Sequence, residues 1–165
     1  MSEQQSSETI LKNLAEGLIA KLGFVGSVRV SQKEDSLPPV WQIDITLPEG
    51  QHFLIGQHGM NLGALQHLIK ILGRRALAEE GTLLVDVNNY FAEKRSFLER
   101  EAYQAAEEAL KTGFAVTLKP MQPFERKIVH TALASNTAVI TESVGKGDER
   151  RVLVRRREEE ATESE

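Results

Sequence analysis

Two groups of residues in this chain have the types and spacing to hold a phosphate. The first is Gly56-Gln57-His58-Gly59, two glycines with two polar residues between them. It lies between the apolar run Phe53-Leu54-Ile55 and a helical stripe through Leu62, Ala64, Leu65, Leu68, Ile69 and Leu72. Glycine at 56 and 59 lacks the Cβ that would hold a sugar-phosphate chain away, and it reaches backbone angles that other residues resist. Asn61 suits the N-cap of the following helix, whose free N–H groups favour an anion. A bare Gly-x-x-Gly is more often a plain turn. The second group is Arg126 and His130, four apart and therefore on one helix face, roughly opposite Phe124 and Ile128, which are expected in the core. Arginine supplies a planar bidentate fork and histidine a donor whose charge changes near neutral pH; Lys127 flanks them. The same pair also suits surface decoration, or an imidazole bonded to a neighbouring backbone group.

The elements that must position these groups follow from periodicity. After Ser7, Ile10, Leu11, Leu14, Leu18, Ile19 and Leu22 line one face of a helix over 8–22 that ends near Gly23. Val25 to Ser31 reads as a strand, and the polar residues 33–36 with Pro38-Pro39 connect it to the next. Trp41, Ile43, Ile45 and Leu47 alternate with Gln42, Asp44 and Thr46, a half-buried strand. A short helix, the glycine loop, a helix to about Glu79 and a strand at 83–87 follow. Asn88-Asn89 marks a boundary, then Phe91 to Lys111 reads as a long helix. Ala115 to Lys119 is a strand, Phe124 to Leu133 a helix, and two strands at Ala138 to Thr141 and Arg151 to Arg156 flank the turn Gly145-Lys146-Gly147-Asp148. The fold class is α+β, with helices over a small sheet in the second half.

Ile-Gly-x-x-Gly-x-Asn-Leu-x-Ala-Leu-Gln in this element order resembles a type II KH domain (αββααβ), whose loop clamps single-stranded nucleic acid. Pro-x-x-Pro-Phe-Glu-Arg-x-x-x-His-x-x-Leu, followed by Thr141-Glu142-Ser143-x-Gly145 and a basic strand, resembles the single-stranded nucleic-acid-binding domain named for its Arg-x-x-x-His motif. The tandem is similar to the Jag family of bacterial proteins, also called KhpB or EloR and associated with the insertase SpoIIIJ. The resemblance covers about residues 8 to 157. It implies RNA binding, post-transcriptional control, a role in cell elongation or division, and pairing with a small single-KH protein. The implied organisation is a disordered 1–7, a KH domain at 8–88, an Arg-x-x-x-His domain at 89–157 and a disordered acidic tail at 158–165. Ile55, Gly56, Gln57, His58, Gly59 and Asn61 would form one nucleic-acid site, and Arg126, Lys127, His130 and Arg151 the other. Many KH loops carry a basic pair where this chain has Gln57-His58, which implies weaker phosphate attraction at neutral pH, rising below about pH 6.5 for an unperturbed imidazole. Some members carry a further N-terminal domain; functions tied to it are not expected of these 165 residues.

Composition bounds the alternatives. Net charge is −4, yet residues 92–157 hold 13 basic against 9 acidic side chains, and residues 158–165 hold 5 acidic and no basic ones. The positive charge is thus concentrated in the second half and masked by the tail. Without cysteine there is no disulfide, thiolate metal site or thiol nucleophile. His52, His58, His67 and His130 match no metal-ligand spacing, and no GxxxxGK[ST] loop is present. Neither a cofactor nor catalysis is expected. No leader or membrane span is legible, so the expected location is the cytoplasm. Aromatic residues make up 5% of the chain, so base contact is expected from an apolar groove at Ile55, Leu65 and Val85, with Trp41 in the core. Two alternatives stay open: a single-stranded DNA binder, and an interaction adaptor whose KH domain forms homodimers or pairs with another KH protein.

Overall fold

The computed structural model describes residues 6–33, 39–74 and 81–157. The chain divides into two compact units, Met1–Phe91 and Ala92–Glu165. The expectation of disorder at 1–7 and 158–165 concerns, for 1–5 and the tail, residues outside those described. Ser6 and Ser7 are placed: Ser6 is the N-cap of the first helix, α1 (Ser7–Lys21), and its Oγ accepts from the Thr9 N–H. The helix thus starts one residue earlier than expected.

In the first unit α1 is followed by β1 (Ser27–Lys33), β2 (Val40–Thr46), α2 (Gln51–Ile55), a 3-10 turn at Gln57–Gly59, α3 (Met60–Leu72) and β3 (Thr82–Val87). The sheet order is β1-β2-β3, with β1 antiparallel and β3 parallel to β2. The register aligns Val28 with Ile45, Val30 with Ile43, Ile43 with Val85 and Ile45 with Val87. Cross-strand partners share a face, so these side chains form one apolar surface. Leu11, Ala15 and Ile19 of α1 and Leu62, Leu65 and Ile69 of α3, each series at helical spacing, cover it. Trp41 is half-buried against this core. A parallel pair cannot be joined by a hairpin and needs a crossover; α2, the glycine loop and α3 are that crossover. α3 ends at Leu72, with the Gly73 N–H bonded to the Ile69 carbonyl. The expected continuation toward Glu79, like the connection through 34–38, falls largely outside the described residues.

Beyond β3, Asn88 and Asn89 take positive φ values of 49° and 59°. The Asn88 amide both accepts from the Leu47 N–H and donates to the Leu47 carbonyl, each at 2.8 Å. Its side chain therefore continues the β2–β3 pairing by one step after the backbone has turned away.

The long helix α4 (Tyr90–Thr112) crosses the unit boundary. It is followed by β4 (Val116–Thr117), α5 (Pro123–Leu133), β5 (Val139–Val144), a 3-10 turn at Gly147–Glu149 and β6 (Arg151–Arg156). The strands form an antiparallel sheet of order β4-β6-β5. An alanine-rich stripe on α4 (Leu98, Ala102, Ala105, Ala106) packs with Val129 and Leu133 of α5 on Val139, Val152 and Val154. Small side chains let helix and sheet approach closely. The inward face of α5 differs from the expected one. Glu125, Val129 and Leu133 are buried, whereas Phe124 is 38% exposed and Ile128 only partly buried. The cause is Glu125: its Oε2 accepts from the Gln122 N–H at 2.6 Å and its Oε1 pairs with Lys94 Nζ of α4 at 2.8 Å. The carboxylate is 1% exposed, so it has to face the charge that answers it, and that fixes the roll of the helix.

Candidate nucleic-acid interface

Gly56 adopts φ 72° and ψ 179°, a combination essentially restricted to glycine, and Gly59 is left-handed at φ 77°, ψ 15°. Between them His58 is also left-handed, at φ 50°, a conformation in which histidine is among the better tolerated residues. The glycines answer internal needs. A Cβ on Gly56 would lie 2.6 Å from Asn61 Cγ, and one on Gly59 would lie 3.2 Å from the Tyr90 ring. The missing Cβ atoms therefore clear Asn61 and Tyr90 directly. The N–H groups of both glycines are also engaged internally, Gly56 with the His52 carbonyl at 2.9 Å and Gly59 with the Gly56 carbonyl at 3.2 Å.

Asn61 is not the N-cap. Gly59 holds that position, Asn61 is the second residue of α3, and its Nδ2 donates to the Phe53 carbonyl at 2.8 Å. The side chain ties the start of α3 back to α2 across the loop. Gln57 is exposed, and Ile55 and His58 are half-buried at the same end. Leu65 and Val85, expected to line an apolar groove with Ile55, are 3% and 1% exposed and belong to the core. The exposed apolar surface beside the loop comes instead from Phe53 (67%) and Met60 (58%), with Phe53 tilted against His52 at 4.1 Å between ring centroids.

In the second unit, an Arg126 Nη1–H donates to the Met121 carbonyl at 2.9 Å, which steers the guanidinium toward the start of α5. His130 reaches β5: Nδ1 lies 2.7 Å from Thr141 Oγ1 and Nε2 2.9 Å from Ser143 Oγ. Both ring nitrogens are thus held by side-chain hydroxyls, not by the backbone. Burial, and secondarily the Arg126 charge, hold the imidazole below its ordinary pKa of 6.5. Lys127 lies next to Arg126 along the exposed side of the helix.

Arg151 is not part of this cluster. The register pairs Thr141 with Val154 and Ser143 with Val152, both valines buried under the helices, whereas Arg151 pairs with Val144 and Arg155 with Ile140. Strand alternation sends the Arg151 and Arg155 side chains to the far face of the sheet. There they pair with Glu149 at 2.6 Å and Glu142 at 2.8 Å. Arg157 donates to the Thr137 carbonyl.

An arginine and a histidine one helical turn apart, the histidine anchored to a strand of an antiparallel sheet, match a known family model over residues 96–156, that of the domain called R-3-H for its Arg-x-x-x-His motif. The second unit is an Arg-x-x-x-His domain. The chain is also similar to three curated proteins, each named RNA-binding protein KhpB. That of Lactiplantibacillus plantarum is 38% identical over 63% of this chain and 32% of its own length. That of Clostridium symbiosum is 33% identical over 61% and 46%, and that of Bacillus subtilis 29% identical over 91% and 69%. The chain thus spans about a third to a half of the first two relatives and about two thirds of the third. Among the described residues no helix is long and apolar enough to cross a membrane.

Of three features of the Arg-x-x-x-His domain, residue types give a sign of one and not of the other two. Thr141 and Ser143 are legible as part of a pattern, and their two-residue spacing is the signal that places both on one strand face. Lys94 and Glu125, far apart in sequence, give no local sign of being paired. The Met121 carbonyl that orients Arg126 is a backbone group and leaves no trace in side-chain pattern.

Proposed function

We propose that this chain is a member of the Jag family and binds single-stranded RNA through a separate phosphodiester grip on each unit. The first unit acts as a type II KH domain (8–88): the Gly56–Gly59 turn presents Gln57 and His58, Ile55 and Phe53 offer apolar contact to bases, and Asn61 holds the turn in shape. The Arg-x-x-x-His domain contributes Arg126 and Lys127, with His130 behind them. One observation carries this reading: a Gly-x-x-Gly turn with Gln57 exposed, inside the crossover of an α-β-β-α-α-β unit, stands in one chain with an Arg-x-x-x-His domain. The similarity to proteins named RNA-binding supports it. On this reading the protein is a cytoplasmic, non-enzymatic, post-transcriptional regulator linked to cell elongation and division. The assignment of those roles rests on the family resemblance.

The test is fluorescence anisotropy of a labelled RNA pool across a salt series. Gly56 is a poor probe because any side chain there collides with Asn61. Gln57→Glu with His58→Asp instead places two negative charges on the turn and keeps a residue that tolerates a left-handed backbone at 58. Those charges should repel the strand and weaken binding, most at low salt. Arg126→Ala removes a phosphate neutralisation at the other site, so it should flatten the slope of log affinity against log salt by about 0.7 for a single strand and weaken all sequences alike. Unchanged affinity and slope for both variants would overturn the proposal.

A second reading has its own observation. Met60, Leu68, Ile71 and Leu72 of α3 are 58%, 47%, 56% and 57% exposed and fall on one side of the helix. Such a stripe suits pairing with a second copy or with another KH protein. Leu68→Lys with Ile71→Glu should then abolish self-association in sedimentation while RNA affinity per chain persists. Should the loop variants leave RNA binding intact while this pair removes an assembly, the adaptor reading replaces the first.

A further inference from the structure

Thr141 and Ser143 stand two residues apart on β5, the edge strand of its sheet, so both hydroxyls lie on one face of an open edge. His130 bridges them, one ring nitrogen to each. A neutral imidazole has one N–H and one bare lone pair, whereas a hydroxyl can either donate or accept. In either tautomer, therefore, one hydroxyl receives the ring N–H and keeps its own proton to direct elsewhere. The other gives its proton to the ring and shows only lone pairs. Protonation of the ring changes this division. Both nitrogens then donate, both hydroxyls accept, and both hydroxyl protons are released outward beside a new positive charge. Two outward O–H donors and an imidazolium next to a guanidinium suit an anion.

The charges around the ring fit such a site. Arg126, one turn earlier on α5, is the charged group that bears on the imidazole, and Lys127 follows it on the same helix. On β5, Glu142 lies between the two hydroxyls in sequence but points to the far face, where it holds Arg155. Arg151 of β6 is on that far face as well. On the helix side, Lys94 of α4 is taken by Glu125, which faces inward. Neither Glu142 nor Glu125 is placed as a counter-ion for a protonated His130, so an anion from outside suits the site.

We propose that Thr141, Ser143 and His130 form, beside Arg126, a proton-coupled phosphate site, in which a backbone phosphodiester of single-stranded RNA enters as the imidazole takes up one proton from solvent and the two hydroxyls turn their protons onto the phosphate oxygens. This rests on the reading of the Arg-x-x-x-His domain as an RNA grip and adds to it two side chains, a proton and a direction of pH dependence. No covalent bond forms or breaks; the proton returns to solvent when the RNA leaves.

The test uses the full chain and a short oligouridylate with a 5′ hydroxyl, so that only internal phosphates are offered. The His130 ring resonances are titrated by NMR from about pH 8 to about pH 5, with and without saturating RNA. RNA should raise the titration midpoint by about one pH unit, equivalent to a roughly tenfold gain in affinity for the protonated site. The double variant Thr141→Val, Ser143→Ala should bind roughly tenfold more weakly at the acid end and lose the part of the pH dependence that His130 supplies. Thr141→Ser, which keeps the hydroxyl, should retain both. A His130 midpoint unmoved by RNA overturns the proposal, as does a double variant that matches wild type at every pH while Arg126→Ala still weakens binding. If Arg126→Ala itself has no effect, the Arg-x-x-x-His domain is not the grip, and the broader reading fails with it.

Discussion

Gly56→Ala is the sharpest test of why the Gly-x-x-Gly turn has its shape. At φ 72°, ψ 179° a non-glycine residue carries a backbone penalty of about 1–3 kcal/mol. The new Cβ would also meet Asn61 Cγ at 2.6 Å, Nδ2 at 2.8 Å and Cβ at 2.9 Å. Asn61 must then swing away and release the Phe53 carbonyl, a hydrogen bond worth about 1 kcal/mol. Together these predict a loss of about 2–4 kcal/mol, a large share of the roughly 5–15 kcal/mol that holds an ordinary domain together. The assay is built into the sequence: the single tryptophan, Trp41, lies in β2, half-buried against the core of the same unit, so urea unfolding followed by its fluorescence reports that unit. In an Asn61→Gly background the collision and the hydrogen bond are already gone. There Gly56→Ala should cost only the backbone part, leaving a coupling of about 1 kcal/mol or more between the two positions. Equal cost in both backgrounds, or a loss under about 0.5 kcal/mol in the parent, would refute the account of the turn as shaped by Asn61.

Asn88→Ala removes the donor and the acceptor that close on Leu47 and leaves a positive φ, so it should cost about 2–3 kcal/mol by the same fluorescence assay; Asn88→Gly, which relieves the backbone, should cost about 1 kcal/mol less. Lys94→Met takes the counter-charge from a carboxylate that is 1% exposed; because Lys94 itself keeps some access to solvent, a loss of about 2–4 kcal/mol is expected in thermal unfolding followed by circular dichroism. Adding Glu125→Gln, which keeps an acceptor for the Gln122 N–H, should recover much of it. The lowered pKa of His130 means that the unfolded chain binds more protons than the folded one between pH 6.5 and the folded midpoint. The contribution is therefore complete above pH 6.5, shrinks as pH falls through that window, and is flat below it. His130→Gln should erase that slope in denaturant unfolding of the Arg-x-x-x-His domain measured over a pH series.

Period-two and period-four patterns make most elements legible. Ile43 and Ile45 alternate with Gln42 and Asp44 because β2 is central and covered on one face only, and Leu11, Ala15 and Ile19 recur at four because α1 has one neighbour surface. Where pattern and structure part, the causes are alike. Hydrophobicity turns Phe124 inward and Glu125 outward on α5, and it cannot anticipate that Lys94, far away in sequence, draws the carboxylate into the interior. Asparagine favours a cap, which points to Asn61; Gly59 holds that position, and the amide does more by bonding across the loop. Leu65 and Val85 flank the motif and so suggest a groove, whereas their spacing with Ile69 and Leu83 marks them as core. For Arg151, parity along β6 relative to the buried Val152 and Val154 decides the face, and that parity becomes usable only once the strand's covered side is known.

On the proposed reading, in which a polynucleotide binds at the Gly-x-x-Gly turn, the amide of Asn61 has a kinetic consequence. A turn already fastened to the preceding helix has few conformations to surrender, so recognition there would carry little ordering entropy. Association with such a preset surface should proceed at the pace of encounter, with ligand preference expressed in residence time. Cutting that one fastening, as Asn61→Ala would, should slow capture of the strand even where the equilibrium contacts survive.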